Sequence, residues 1–216
     1  MFVRRLELGD IEATAVVLAK AMDDDPAYRF LFPRDADRPT GLADFFARNL
    51  RTHLAYRCTY VGVANGAVVA TVTLRPPEGF VISLPTMLRR GLLPFAWSHG
   101  HRAVKRLLLL KSTYDAIEAR LADAGPNWLV RMMAVEPAVQ GQGLGTQLLR
   151  EVLSSRDAEH STERSPLTVL TTHTQRNVVF YERAGFAVDR VEEVTFMGAE
   201  RYSVWSMRRG PLHRSD

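Results

Sequence analysis

The 216-residue sequence has one cysteine, Cys58, so it can form neither an internal disulfide framework nor a zinc cluster built on paired thiols; no metal is expected. It lacks long hydrophobic runs. The leucine run at residues 107–110 lies between Arg106 and Lys111, and no apolar stretch approaches the length of a membrane span. Residues 1–10 carry Arg4, Arg5, Glu7 and Asp10 with no apolar stretch behind them, unlike a secretory leader, and a soluble, cytoplasmic protein is expected. Blocks of like charge are also missing. The net charge of +4 and pI near 9.5 come from arginines and carboxylates that are interleaved, so neither nucleic acid nor membrane is expected as a partner. There is no internal repeat and no low-complexity segment. With 46% hydrophobic residues the chain can bury a sizeable core, and one domain, 1–216, is the simplest expectation.

Residues 2–6 alternate as a short strand, and Asp10 is placed to cap a helix with Ile11, Ala15, Val16 and Ala19 on its apolar side. An acidic, aromatic segment, residues 23–33, precedes a helical pattern in Leu42, Phe45, Phe46, Leu50 and Leu54. Two β-rich runs, 58–64 and 67–74, flank Asn65 and Gly66, the pair best suited to a type I′ turn. Four prolines and two glycines break residues 76–95 into a long loop with one short helix around Met87. A helix over 103–122, a nearly all-apolar central strand over 128–135 and a helix over 143–157 follow. Strand 167–172, a short helix 177–184 and an antiparallel pair, 186–197 with 201–207, complete the chain.

The junction after the apolar strand carries the chemistry. Pro137 stops the strand, Gln140 opens the run Gly141, Gln142, Gly143, Leu144, Gly145, Thr146, and an amphipathic helix begins there. Three alternating glycines let main chain approach a ligand and turn N–H groups inward at the positive end of a helix, which makes an anion cradle. The same glycines could equally make only a tight turn. The spacing is not that of a dinucleotide fingerprint, and no lysine precedes Thr146 as in a Walker loop.

This stretch resembles the pyrophosphate signature of the GNAT superfamily of acyl-CoA N-acyltransferases: Gln or Arg, two residues, Gly, one residue, then Gly or Ala. Gln140, Gly143 and Gly145 fill those places, and residues 176–186, with Asn177 and Tyr181, match a second segment at the expected distance. The resemblance is strong over 128–209, with a cofactor-binding half at about 127–209, and is most similar to the puromycin N-acetyltransferase-like small-molecule acetyltransferases. It implies an α/β (α+β) GNAT fold: a mixed, mostly antiparallel twisted sheet flanked by helices and splayed at the cofactor-binding strand. It further implies acetyl-CoA as cofactor, with Met133, Ala134 and Val135 at the acetyl end, backbone N–H groups near Ala134 and Val135 on the thioester carbonyl, and Gln140 to Thr146 on the pyrophosphate. Asn177 would lie near the pantetheine, although as a helix cap it would need no ligand. Tyr181 would be the acid that protonates the leaving thiolate, or else a core aromatic.

The general base departs from the pattern. Arg131 stands where many relatives have a carboxylate, and Asn127 and Thr171 stand where the subgroup often has His and Glu. Asp25, His53, His101, Glu136 and His173 are the remaining candidates, none singled out. Cys58 reads as a structural thiol, and the run Asp23, Asp24, Asp25 reads either as a lure for a cationic amine or as a capped, solvated loop. The expected activity is direct acetyl transfer to the primary amine of a small molecule in a ternary complex. A peptide or protein amine and a non-catalytic acyl-CoA-binding regulatory domain are the alternatives, and a homodimer stays open.

Overall fold

The computed structural model describes residues 1–79, 87–122, 125–159, 166–196 and 201–210. Strands β1 (Phe2–Arg5), β2 (Thr59–Ala64), β3 (Ala67–Arg75), β4 (Asn127–Val135), β5 (Leu167–Thr172), β6 (Ala187–Val194) and β7 (Tyr202–Arg209) form one sheet in the order β1-β2-β3-β4-β5-β7-β6. Only β4 and β5 run parallel; every other neighbouring pair is antiparallel. The mixed, mostly antiparallel sheet flanked by helices is the architecture that the resemblance implies.

The β2–β3 hairpin closes at Ala64 and Ala67 through Asn65 and Gly66, whose φ angles of 52° and 78° supply the two left-handed residues of a type I′ turn. Helices α1 (Ile11–Ala21), α2 (Pro26–Leu31), α3 (Arg38–His53) and α4 (Leu93–Ala122) cover one face of the sheet. Their apolar side chains, among them Leu18, Leu31, Phe46 and Phe95, pack over Met132, Ala134, Tyr202 and Val204. Helices α5 (Leu144–Glu159) and α6 (Gln175–Arg183) cover the other, where Leu148, Leu149, Val152 and Val178 meet Ala70, Val72, Val130 and Met207.

One local expectation changes and two are extended. Asp10 precedes α1 without capping it. Its carboxylate instead accepts from the Glu7 N–H at 2.9 Å and from both Arg4 Nη atoms at 2.5 and 2.8 Å, because a short 3₁₀ turn, Leu8–Asp10, intervenes. The helix expected over 103–122 stands as the longer arm of α4; a further helical stretch from Leu93 joins it at Gly100, whose φ of 77° is not helical and marks a kink between two helices. The short helix expected around Met87 is a π-helical turn over 87–92, and residues 80–86 of the expected loop lie outside the described residues. Among the described residues no helix is long and apolar enough to cross a membrane.

Candidate active site

The site begins as a defect in the sheet. β4 pairs with β5 only from Asn127 to Val130, so residues 131–135 and the end of β5 part company. The cause is local. Across β3, Thr73 faces Met132 while Leu74 faces Val130, which leaves Arg131 as an extra residue in a β-bulge. The bond from Glu136 N–H to Val69 O, 2.8 Å, fixes the phase of the ladder beyond it. Counting back in twos, Ala134 and Met132 direct their N–H groups to β3, whereas Val135 and Met133 direct theirs into the split. The main-chain donors open to the split are therefore Met133 and Val135, and the Ala134 N–H, expected there, is spent on β3.

Beyond β4, Pro137–Val139 make a 3₁₀ turn and Gln140 returns extended. Its Nε2 donates to Val135 O at 3.0 Å, and its Oε1 accepts from Arg176 Nη2 at 2.8 Å, so one side chain ties the strand end, the loop and the start of α6 together. The three glycines do different work. Gly141 and Gly143 have φ of 81° and 78°, and a Cβ on either would meet nothing within 4 Å. They serve the turn and leave the main chain bare. Gly145 is buried, and a Cβ there would come within 3.1 Å of Val135 Cγ2 and 3.5 Å of Phe180 Cε2. It permits close packing of helix on strand, not ligand approach. The first helical bond of α5 runs from Gln147 N–H to Gly143 O at 2.9 Å, so the N–H groups of Leu144, Gly145 and Thr146 have no carbonyl of their own helix. With Gln142 exposed between its glycines, the loop presents donors and a helix N-terminus to one place, as an anion cradle requires.

On the same face, α6 is capped by Thr174, whose hydroxyl accepts from the Asn177 N–H at 3.3 Å. Asn177 is thus not the cap, and its side chain is exposed near the loop end of the helix. Tyr181 is buried between Phe180 and Phe186, at centroid distances of 5.0 and 5.7 Å, and burial raises its phenol well above the ordinary value. It stays a protonated acid.

The opposite face holds a polar cluster that sequence reasoning saw only in parts. Asp25 caps α2 by accepting from the Ala27 N–H at 3.0 Å through Oδ1, and its Oδ2 meets His173 Nδ1 at 2.7 Å. His173 Nε2 meets Tyr114 Oη at 2.6 Å, and Tyr114 Oη meets Tyr202 Oη at 3.1 Å. The His173 and Asp25 side chains are only 12% and 14% exposed. Burial first, and the neighbouring phenol next, push Tyr114 far up; burial brings Tyr202 to about 12. Asp25 and His173 are candidates singly in the sequence, whereas Tyr114 falls on the apolar spacing of a helix and Tyr202 within a strand, neither singled out. The available signal was that a phenol in a core needs a polar partner.

The other base candidates lie elsewhere. His53, in the last turn of α3, donates from Nδ1 to Asn49 O at 2.7 Å, and burial lowers its pKa. Glu136 pairs with Lys20 at 3.1 Å, and His101 is exposed on α4. Arg131 lies 3.7 Å from Glu118 Oε1, whose other oxygen is 3.6 Å from Arg75. Of the acidic run, Asp23 pairs with buried Arg38 and Asp25 caps α2, leaving Asp24 exposed, so the run is largely structural. Half-buried Cys58 donates to Tyr56 O at 3.0 Å, and burial raises its thiol, as suits a structural cysteine.

Comparison with known proteins gives the same picture. Residues 111–188 match the family model described as the acetyltransferase (GNAT) domain. No curated protein matches the chain. Its fold is similar to that of polyamine N-acetyltransferase from Drosophila melanogaster, an enzyme that catalyses formation of N-acetylagmatine (TM-score 0.59, 16% identity, 96% of this chain and 98% of that chain covered). It is also similar to the histone acetyltransferase HPA2 and related acetyltransferase of Corynebacterium glutamicum (TM-score 0.60, 15% identity, 99% and 98%). A third similar structure is the PaiA N-acetyltransferase of Thermoplasma acidophilum in complex with coenzyme A (TM-score 0.53, 10% identity, 96% and 97%). The β4–β5 split and the glycine loop at the start of α5 both fall within residues 111–188, the stretch that matches the acetyltransferase (GNAT) domain model, and the fold of the chain is the one these acetyltransferase structures share.

Proposed function

We propose that the chain transfers an acetyl group from acetyl-CoA to the primary amine of a small molecule by direct attack within a ternary complex. The observation that carries this reading is the bare main chain at Gly141 and Gly143, set beside a helix N-terminus and at the mouth of the β4–β5 split. A pyrophosphate would fit there: the N–H groups of Leu144, Gly145 and Thr146 precede the first helical bond of α5, and the space where a Cβ of Gly141 or Gly143 would stand is open within 4 Å. Gln140, held by Val135 and Arg176, fixes the loop. Acetyl-CoA, when bound, supplies the activated acyl group. The N–H groups of Met133 and Val135 would polarise its carbonyl, with Ala134 holding the strand in phase from the β3 side. Asn177 would meet the pantetheine arm, and Tyr181 would hold the proton for the leaving sulfur.

The similarity to structures of polyamine and agmatine N-acetyltransferases supports a small, cationic acceptor. Calorimetric titration with acetyl-CoA, CoA and longer acyl-CoAs, followed by mass-spectrometric screening of primary amines that include agmatine and spermidine, tests the proposal. Preferential binding of acetyl-CoA with acetylation of at least one amine is expected. Absence of binding would reduce the loop to a turn, and a stable covalent acetyl-enzyme would exclude direct transfer.

A further inference from the structure

We propose that Asp25, His173, Tyr114 and Tyr202 form a one-way proton relay that removes the proton from the acceptor's ammonium group. This rests on the acetyltransferase reading above and supplies the base that Arg131, in place of a carboxylate, leaves missing.

The direction of the relay follows from its anchored end. A carboxylate only accepts, so the 2.7 Å contact with Asp25 Oδ2 places the hydrogen of neutral His173 on Nδ1. Nε2 is then an acceptor, and the 2.6 Å contact makes Tyr114 its donor. Tyr202 in turn donates to Tyr114 across 3.1 Å. Every hydrogen in the chain points toward Asp25. The far end therefore offers only oxygen lone pairs, and lone pairs in a buried place call for a donor such as an ammonium group.

The location is right for this work. The last registered pair of the parallel strands is Val130 with Leu170, so His173 lies three residues beyond the point where they part, on the β5 side of the split into which the Met133 N–H opens. Tyr114 and Tyr202 lie on the face covered by α1 to α4, whereas the glycine loop and Tyr181 lie on the face covered by α5 and α6. One proton is thus collected on one side of the sheet, while a different one, on Tyr181, is held for the thiolate on the other. Tyr28 from α2 also lies close enough to feel Asp25 and Tyr202, and the charge of Arg131 from β4 acts on that same phenol. The raised phenols of Tyr114 and Tyr202 do not ionise themselves, and can pass a proton on without keeping it.

In the step itself, one N–H bond of the ammonium breaks and its proton goes to Tyr202 Oη. The Tyr202 hydrogen passes to Tyr114, and the Tyr114 hydrogen passes to His173 Nε2. The amine nitrogen keeps the electron pair, the imidazolium is balanced by the Asp25 carboxylate, and its proton later leaves to water. Tyr202 is the catalytic group that meets the amine; Tyr114 and His173 act through it, His173 as the final acceptor of the proton, and Asp25 positions His173.

The test compares the parent protein with His173→Gln and Tyr114→Phe. Calorimetry should give the same acetyl-CoA affinity for all three. Nitrogen NMR of the unliganded parent should show His173 protonated at Nδ1 and bare at Nε2. With benzylamine, a strongly basic acceptor, kcat/KM of each variant should fall about 100-fold, the magnitude of general-base catalysis. The acidic limb of its pH profile should also move to higher pH. With hydroxylamine, which is neutral in water, the loss should be less than about threefold because no ammonium group has to be deprotonated before attack. Unchanged rates with benzylamine, or equal losses with both amines and an unmoved pH profile, would overturn the relay. So would a parent that binds acetyl-CoA yet acetylates neither amine, or a His173 protonated at Nε2 alone. Failure of the parent to bind acetyl-CoA would instead remove the acetyltransferase reading on which the relay depends.

Discussion

His173 Nδ1 lies 2.7 Å from Asp25 Oδ2, so the first residue beyond β5 is tied to the cap of α2 across 148 positions of chain. The contact joins the two faces of the split strand pair to the helical layer above it. The expectations that follow concern both the cofactor side and the frame that holds it.

Gly143→Ala and Gly145→Ala should fail differently. At Gly143 the added methyl meets open space, but the left-handed φ of 78° costs a non-glycine residue about 1–2 kcal/mol. At Gly145 the φ is ordinary, and the cost, about 1–3 kcal/mol, comes from crowding Val135. A bulkier Gly143→Val should remain folded in circular dichroism and lose measurable acetyl-CoA binding in calorimetry. Retained affinity would contradict the loop assignment.

Arg176→Ala removes the charged donor that holds Gln140 Oε1 at 2.8 Å on an exposed surface. Melting temperature should stay nearly constant, while the Kd for acetyl-CoA rises about fivefold, the equivalent of about 1 kcal/mol for one charge-assisted hydrogen bond. A destabilised variant with unaltered Kd would show that the pair braces α6 and not the loop.

Tyr181→Phe keeps the aromatic packing with Phe180 and Phe186 and deletes only the hydroxyl. We expect kcat to drop about 100-fold with acetyl-CoA affinity changed less than threefold, as for loss of a general acid. Steady-state kinetics beside calorimetry separates the two quantities. Parent-like turnover would return Tyr181 to the core.

His53 should make the fold acid-sensitive. Burial lowers its pKa below the ordinary 6.5, so the unfolded chain binds the proton more readily than the folded one. The stability that this group contributes is complete above that ordinary value and is lost as pH falls below it toward the folded-state value. Thermal melts should therefore show His53→Asn, which can still donate to Asn49 O, losing less stability than the parent between about pH 7.5 and 5.5. Parallel slopes would mean that His53 titrates normally in the folded protein.

The sequence by itself determined what depends on neighbours along the chain. Asn65 and Gly66 specified their turn because few residues other than glycine and asparagine accept positive φ. The unbroken apolar run of β4, the breaker Pro137 and the glycine series located the cradle, since strand end, tight turn and helix start are all local events. Even there, the different tasks of Gly143 and Gly145 appeared only when Val135 and Phe180 were placed around them. The bulge at Arg131 and the insertion of β7 between β5 and β6 were decided by the tertiary structure, because register is a property of two strands and not of one. The same holds for the polar cluster. Tyr114 and Tyr202 satisfy the apolar spacing of a helix and a strand, and nothing local distinguishes a phenol packed in a core from one bonded to a histidine. Only packing α4 and β7 against the end of β5 brings those hydroxyls to His173, where burial makes the unmet bond costly and the met one directional.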